Sequence, residues 1–364
     1  MNNLIQSEIL HKKHSNPTIL YITNNFSQVE LALLSVAESK YDFLIYNNVT
    51  HKEYNLATDY LLPKNVKVTS DPKSVIMLSG IFSAAITTVG HISPVLNAKI
   101  VSILKACVAI NLPIIEVPHG LYQWGFNLSD DSKFINTASN TLGAGYPVPS
   151  FADHQISWFD DNSIGYPRYR SESVKKKYDV VVPKYTVITT NTNWYLYNYN
   201  DQRVLAQALF ELARANPEEM FIWSPHSAEL NAHNLINNML GAKPANLFRY
   251  GYDKDIYFHS IDTTEDLISH AAAGITTVST CLLEYEIHKI PTAIFSTNSL
   301  QTVTSSMLDG AFFATPDDLK SLDFKPPITG QLHRYDVEGF DSRLSQILIS
   351  PKKNNPIKNS ILYL

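Results

Sequence analysis

Thr18-Ile-Leu-Tyr-Ile-Thr23 is an apolar, β-branched run; the amphipathic stretch Gln28 to Ser39 follows it, and then a second apolar run, Tyr41-Asp-Phe-Leu-Ile-Tyr46. A strand, a helix and a strand in so short a segment leave the two strands parallel, because a helix between them carries the chain back to the starting edge. The alternation recurs. A helical stretch from Pro94 to Ile110 feeds the strand Pro113 to Val117, and His154 to Trp158 reads as a further strand. Ser74 to Leu78 opens a weakly apolar run to Leu96 that reads as a strand and the start of a helix. A second series carries strands at Tyr185 to Thr190, Met220 to Ser224, Ile275 to Val278 and Pro291 to Phe295. Helices at Asp201 to Ala215, Glu229 to Leu240, Thr264 to Ala272 and Thr280 to Lys289 separate them. The pattern predicts an α/β protein of two doubly wound parallel-sheet domains.

The expected boundaries follow from composition. Residues 1–167 form the first domain, closed by the turn Ser163-Ile-Gly-Tyr-Pro167. Residues 168–184, with three consecutive lysines and Pro183, read as a linker, and 185–335 as the second domain. Residues 336–364 are expected to form a helix and tail that pack back on the first domain. At 364 residues each domain is large enough to bury its own core. Apolar residues make up 45% and charged residues 17%, which is globular rather than disordered. A net charge of -5 argues against a general nucleic-acid binder, since neutralising phosphates needs a basic surface. Cys107 and Cys281 are the only cysteines and sit in apolar helical contexts, so neither a disulfide framework nor a zinc site is expected. No signal peptide or membrane span is evident. The runs Lys175-Lys176-Lys177 and Lys352-Lys353 read as solvated faces that could also meet an anionic lipid surface.

The chemistry concentrates at strand ends. Leu112-Pro-Ile-Ile-Glu-Val-Pro-His-Gly120 is an apolar strand that delivers Glu116 and His119 onto a glycine turn. The carboxyl end of a strand in an open α/β sheet faces the crevice where ligands bind, so two proton-transfer groups there suggest catalysis. Taken alone, Glu116 reads equally as a buried structural acid. In Ile222-Trp-Ser-Pro-His226 the imidazole follows a strand and is a candidate phosphate donor, or a structural histidine. In Val278-Ser-Thr-Cys-Leu-Leu-Glu284, the hydroxyls of Ser279 and Thr280 are expected to cap a helix and create an anion site, and Glu284 lies one turn on, suited to ribose hydroxyls. An ordinary N-cap is the plainer alternative.

The segment Tyr122 to Pro149 is an irregular loop whose length suggests function. Its Asp130 and Asp131, with Asp160 and Asp161 further on, are candidate acceptor contacts or bases, and equally turn formers. The aromatic run Trp194-Tyr-Leu-Tyr-Asn-Tyr199 could stack on a sugar or base, or pack as a wall. The histidines show no metal-ligand spacing, so no metal is expected, and the lack of a P-loop and of a nucleophile elbow argues against a P-loop enzyme and an α/β-hydrolase.

Two sets of residues resemble a known family. Ile114-Ile-Glu-Val-Pro-His-Gly120 with Ser163-Ile-Gly-Tyr-Pro167 is similar to the N-terminal half of GT-B glycosyltransferases that build bacterial capsules and lipopolysaccharide. Ser224-Pro-His226, Ser279 to Glu284 and Lys289-Ile-Pro-Thr-Ala-Ile-Phe295 resemble the C-terminal half of the same group. The resemblance spans roughly residues 110 to 300 and implies two Rossmann-like domains facing a central cleft. It implies a metal-independent, cytoplasmic transferase, with peripheral contact to the inner membrane face and no cofactor beyond the nucleotide-sugar donor. In transferases using CMP-activated acids such as Kdo or sialic acid, a His-Pro motif and a Ser/Thr motif bind the nucleotide. That assigns His226, Ser279, Thr280 and Glu284 to the donor, and His119 or Glu116 to an oligosaccharide or glycolipid acceptor. Here proline precedes His226, which departs from the His-Pro order. Related motifs occur in glycerophosphate transferases using CDP-glycerol, where a His-Gly turn like His119-Gly120 supplies the base. A non-catalytic glycan-binding or assembly protein on the same fold is the third reading.

Overall fold

The computed structural model describes residues 16–48, 62–88, 98–118, 120, 151–158, 163–170, 183–191, 197, 199–226, 229, 243–251, 253, 263–296, 313–320, 334–350, 355 and 358–363. His119, Asp130, Asp131, Asp160, Asp161 and both lysine runs lie outside these residues, as does all but Tyr197 and the backbone of Tyr199 in the aromatic run.

Two six-stranded parallel sheets organise the chain. The first contains β1 (Thr18–Thr23), β2 (Asp42–Asn47), β3 (Val66–Thr69), β4 (Phe82–Thr87), β5 (Ile114–Glu116) and β6 (His154–Gln155), in the order β3-β2-β1-β4-β5-β6. The second contains β7 (Tyr185–Thr190), β8 (Met220–Pro225), β9 (Leu247–Arg249), β10 (Ala273–Thr276), β11 (Thr292–Phe295) and β12 (Phe313–Ala314), in the order β12-β11-β10-β7-β8-β9. Strands β1 and β7 are buried along their whole length, as sheets covered on both faces require. In both sheets the order of the strands reverses beside the first strand, between β1 and β4 and between β7 and β10. Such switch points open a crevice at the carboxyl edge.

Helices α1 (Phe26–Val36), α2 (Pro72–Met77), α3 (Ala98–Ala109), α4 (Tyr199–Ala215), α5 (Thr264–His270), α6 (Cys281–Ile287), α7 (Pro316–Leu319) and α8 (Val337–Ile349) complete the framework. Their starts are set locally. Asn25 caps α1 through the Gln28 amide, and Thr263 and Asp266 form a reciprocal capping box on α5. Helix α8 meets the first sheet's layer: the Asp341 carboxylate accepts from Ser39 Oγ at 2.5 Å and the Lys40 amide at 2.9 Å. Tyr335 donates to the Ser35 carbonyl nearby.

One strand expectation is corrected. Ser74 to Leu78 is helical, because Asp71 accepts from the Lys73 and Ser74 amides and Pro72 presets the first turn; the strand begins only at Phe82. Strand β3, too short and too polar to register as an apolar run, was not anticipated. Among the described residues no helix is long and apolar enough to cross a membrane.

Candidate functional site

The second sheet's switch point is built from the ends of β7, β10 and β8. Asn191 follows β7 directly, and its amide donates to Thr277 Oγ1 at 2.7 Å, locking the ends of β7 and β10 together. Deeper in, Thr189 Oγ1 donates to Thr276 Oγ1 at 2.9 Å, and the Tyr285 hydroxyl lies 3.1 Å from Thr189. The Val278 amide donates to the Tyr197 hydroxyl at 3.0 Å, and that hydroxyl donates to the Phe295 carbonyl at 3.1 Å. Tyr197 is therefore a buried wall residue, so this member of the aromatic run packs rather than stacks on a ligand.

Within this braced edge two polar atoms stand out. Asn191 Oδ1 and Ser279 Oγ are enclosed and make no hydrogen bond among the described residues. Only the Cys281 thiol, a weak partner, interacts with the Ser279 hydroxyl. Enclosed polar atoms without partners are costly, and a ligand that supplies the missing bonds recovers that cost. The expected helix cap is corrected here. Thr280 is the N-cap of α6, but its backbone is already helical (φ -62°, ψ -26°) and its side chain makes no capping bond. Capping by a side chain needs an extended N-cap residue, so the Thr280 hydroxyl does not cap the helix.

His226 is exposed at the end of β8, and its loop is fixed by a polar chain. Trp223 Nε1 donates to Thr190 Oγ1 at 2.9 Å, Thr190 donates to Glu229 Oε2 at 2.7 Å, and Glu229 also accepts from the His226 amide at 2.9 Å. Desolvation lowers the imidazole's pKa below the ordinary histidine value, against an opposing pull from Glu229, so it is a neutral donor at neutral pH. Burial pushes the Cys281 thiol up to about 12, which removes it as a thiolate nucleophile.

Glu284 is buried beside Arg168, its Oε1 3.8 Å from Nε. Arg168 falls in the stretch whose composition reads as a linker, yet its side chain is only 12% exposed and collects three carboxylates. Its Nη1 meets Glu265 at 2.5 Å, its Nη2 meets Glu30 of α1, and His288 Nε2 lies 3.7 Å from Glu265. Burial raises Glu284 to about 7; Arg168 opposes this, and Glu265 and Glu30 add to it. Three acids around one guanidinium leave one carboxyl protonated near neutrality.

On the first sheet, Glu116 ends β5 fully buried, opposite Thr87 of β4, and its Oε2 accepts from Gln155 Nε2 at 2.8 Å. At that sheet's carboxyl edge Asn48 Nδ2, just past β2, donates to Asn24 Oδ1, just past β1, at 3.0 Å, so amides line the ends of these two strands. Among the described residues no three or more His, Cys, Asp or Glu side chains are placed so that they could hold a metal ion. One acidic pair of D-x-D spacing, Asp253-Lys254-Asp255, bears on the expectation of no metal. Asp253 is engaged by Lys243 at 3.2 Å and by the Arg249 amide at 2.6 Å, and Asp255 lies outside the described residues.

No family model and no curated protein sequence matches the chain. Its structure is similar to that of S. aureus MnaA bound to UDP, with a TM-score of 0.53 and 12% identity over 94% of this chain and 100% of that one. It also matches the Methanocaldococcus jannaschii UDP-GlcNAc 2-epimerase (TM-score 0.47, 13% identity, 96% and 98% covered). The wall teichoic acid polymerase TagF matches too (TM-score 0.44, 12% identity, 100% and 92% covered). Identities this low speak to fold alone. The chain has the GT-B architecture of two parallel-sheet, Rossmann-like α/β domains.

Proposed function

We propose that the protein is a glycosyltransferase that binds a nucleotide-activated sugar at the carboxyl edge of its second sheet and transfers the sugar to a surface-glycan acceptor held by its first. The observation that carries this reading is a pair of enclosed atoms at the switch point between β7 and β10: Asn191 Oδ1, which makes no hydrogen bond among the described residues, and Ser279 Oγ, met only by the weak Cys281 thiol. Ser279 Oγ can donate to a phosphate oxygen, and Asn191 Oδ1 can accept from a sugar or ribose hydroxyl. Neutral His226 adds a donor from β8 to the leaving phosphate. Fixed donors of this kind stabilise a leaving phosphate without a metal. His119 or Glu116 then takes the proton of the attacking acceptor hydroxyl. Among donors, the sequence resemblance favours a CMP-activated ulosonic acid such as Kdo or sialic acid.

The division of labour gives the test. His119→Ala lowers turnover by about 10²-fold or more, as loss of a general base does, while nucleotide affinity stays as in the wild type. A dead Glu116→Gln beside an active His119→Ala transfers the role of base to Glu116. Product analysis separates a glycoside from the phosphodiester that a polyol-phosphate transferase would leave. Wild-type turnover in both variants refutes the acceptor-side assignment.

A further inference from the structure

The amino edge of the first sheet, opposite the edge that carries Glu116, holds a cavity of about 370 Å³. Its walls come from the starts of β4, β5 and β6 on one side, and from the end of α8 and Lys358 on the other. At its base lies a buried ion pair. Lys358 Nζ donates to Asp153 Oδ2 at 2.5 Å and to the Leu112 carbonyl at 2.8 Å, and the two side chains are only 7% and 3% exposed. Asp153 Oδ2 also accepts from the Ile114 amide at 2.8 Å.

The pairing is incomplete on both sides. Asp153 Oδ1 is enclosed and makes no hydrogen bond among the described residues. An ammonium has three protons, and the two bonds to Leu112 and Asp153 use two of them. The cavity thus presents an unfilled acceptor beside a donor with one proton to spare, on a pair whose charges cancel. A hydroxyl satisfies both at once, donating to Asp153 and accepting from Lys358. A phosphate would place its charge against the unfilled carboxylate oxygen, and a free cation would compete with Lys358. Ser83, Asn111 and Ser350 add polar groups at the wall, while Phe82 and Ile347 offer apolar faces. Alternating hydroxyls and C–H faces are the surface of a pyranose. The space is many times the ~10–15 Å³ that a cavity needs to hold one water, and so takes a whole sugar ring.

We infer that this cavity is a saccharide site, which seats one neutral sugar residue through a hydroxyl on Asp153 and Lys358. It lies at the opposite edge of the sheet from the acceptor-side residues and stands whether or not the nucleotide reading holds. Because α8 and Lys358 supply one wall, an occupied site also ties the C-terminal segment to the first sheet.

Saturation-transfer NMR on the full chain tests this with glucose, galactose, N-acetylglucosamine and glycerol at up to about 10 mM, which covers dissociation constants on the order of 1 mM. Ser350→Trp narrows the mouth and Ser83→Leu fills the wall, and both leave the Asp153 and Lys358 pair intact. Transfer to at least one pyranose is expected from the wild type, falling to background in both variants while their melting temperatures stay at the wild-type value. Ser279→Ala, at the other sheet, leaves the signal as it is. No transfer to any pyranose would mean that water alone fills the cavity, and transfer undiminished in both variants would place the sugar elsewhere; either result overturns the proposal.

Discussion

Replacing Glu284 by glutamine removes the one carboxyl that the Arg168 cluster holds protonated, and the consequence can be worked out with its sign. In the unfolded chain Glu284 releases its proton near the ordinary 4.5, whereas in the folded protein burial holds it up to about 7. Between those values the folded state binds more protons than the unfolded one, so this group's contribution to stability falls as pH rises through the window. The interval corresponds to about 3 kcal/mol, because each tenfold change in proton affinity is worth about 1.4 kcal/mol. Glutamine keeps the shape and carries no such proton, so the variant lacks this loss. Thermal unfolding from pH 5 to 8.5 measures it. Wild type should lose on the order of 6 °C more than Glu284→Gln across that range, at roughly 2 °C or more per kcal/mol in a domain of this size. Glu265, lowered overall despite its burial by contacts that include Arg168 and His288, works the opposite way. Its contribution disappears only as pH falls into the acid range, and it does so in both proteins. Parallel pH profiles for wild type and Glu284→Gln would refute the assignment of the raised carboxyl.

Two further predictions concern the second sheet. Because desolvation keeps His226 neutral and a bound phosphate favours its charged form, nucleotide affinity should rise as pH falls through the histidine range. Calorimetry at pH 5.5 and 8 should show the rise in wild type and its absence in His226→Ala. Gly274→Ala should destabilise by about 1–3 kcal/mol in denaturant unfolding, since overpacking a core costs that much. A Cβ there would stand 2.2 Å from Cε1 of Tyr285, whose ring is fully buried with its hydroxyl bonded to Thr189.

Apolar runs such as Thr18 to Thr23 and Tyr185 to Thr190 announced their strands to the residue, because a strand buried on both faces needs no polar alternation. Strands of two to four residues, such as β3, β9 and β12, carry too few side chains for a period to show. Strand order is settled by which helices cover which face, and no local pattern records it. The switch point between β7 and β10 was for that reason invisible, and so was the value of Asn191, which reads only as one amide in a polar turn. Ser279 and His226 were legible as strand-end groups. Glu229 was not, because its part is to accept from Thr190 and the His226 amide, partners set by a loop rather than by spacing. Arg168 was misleading for a different reason. A basic, proline-flanked stretch looks solvated, and only the convergence of Glu30, Glu265 and Glu284 from three helices explains its burial.

The central claim is that the carboxyl edge of the second sheet holds a nucleotide-activated donor. Calorimetric titration of the full chain with CMP, UDP, GDP and CDP-glycerol, repeated on Ser279→Ala and Asn191→Ala, tests it most directly. At least one nucleotide should bind the wild type, and each variant should lose about 1–3 kcal/mol of that binding with its fold intact, as expected for a hydrogen bond to a charged or buried group. Absence of binding by every nucleotide at about 1 mM, which corresponds to less than roughly 4 kcal/mol of affinity, or wild-type binding in both variants, would contradict it.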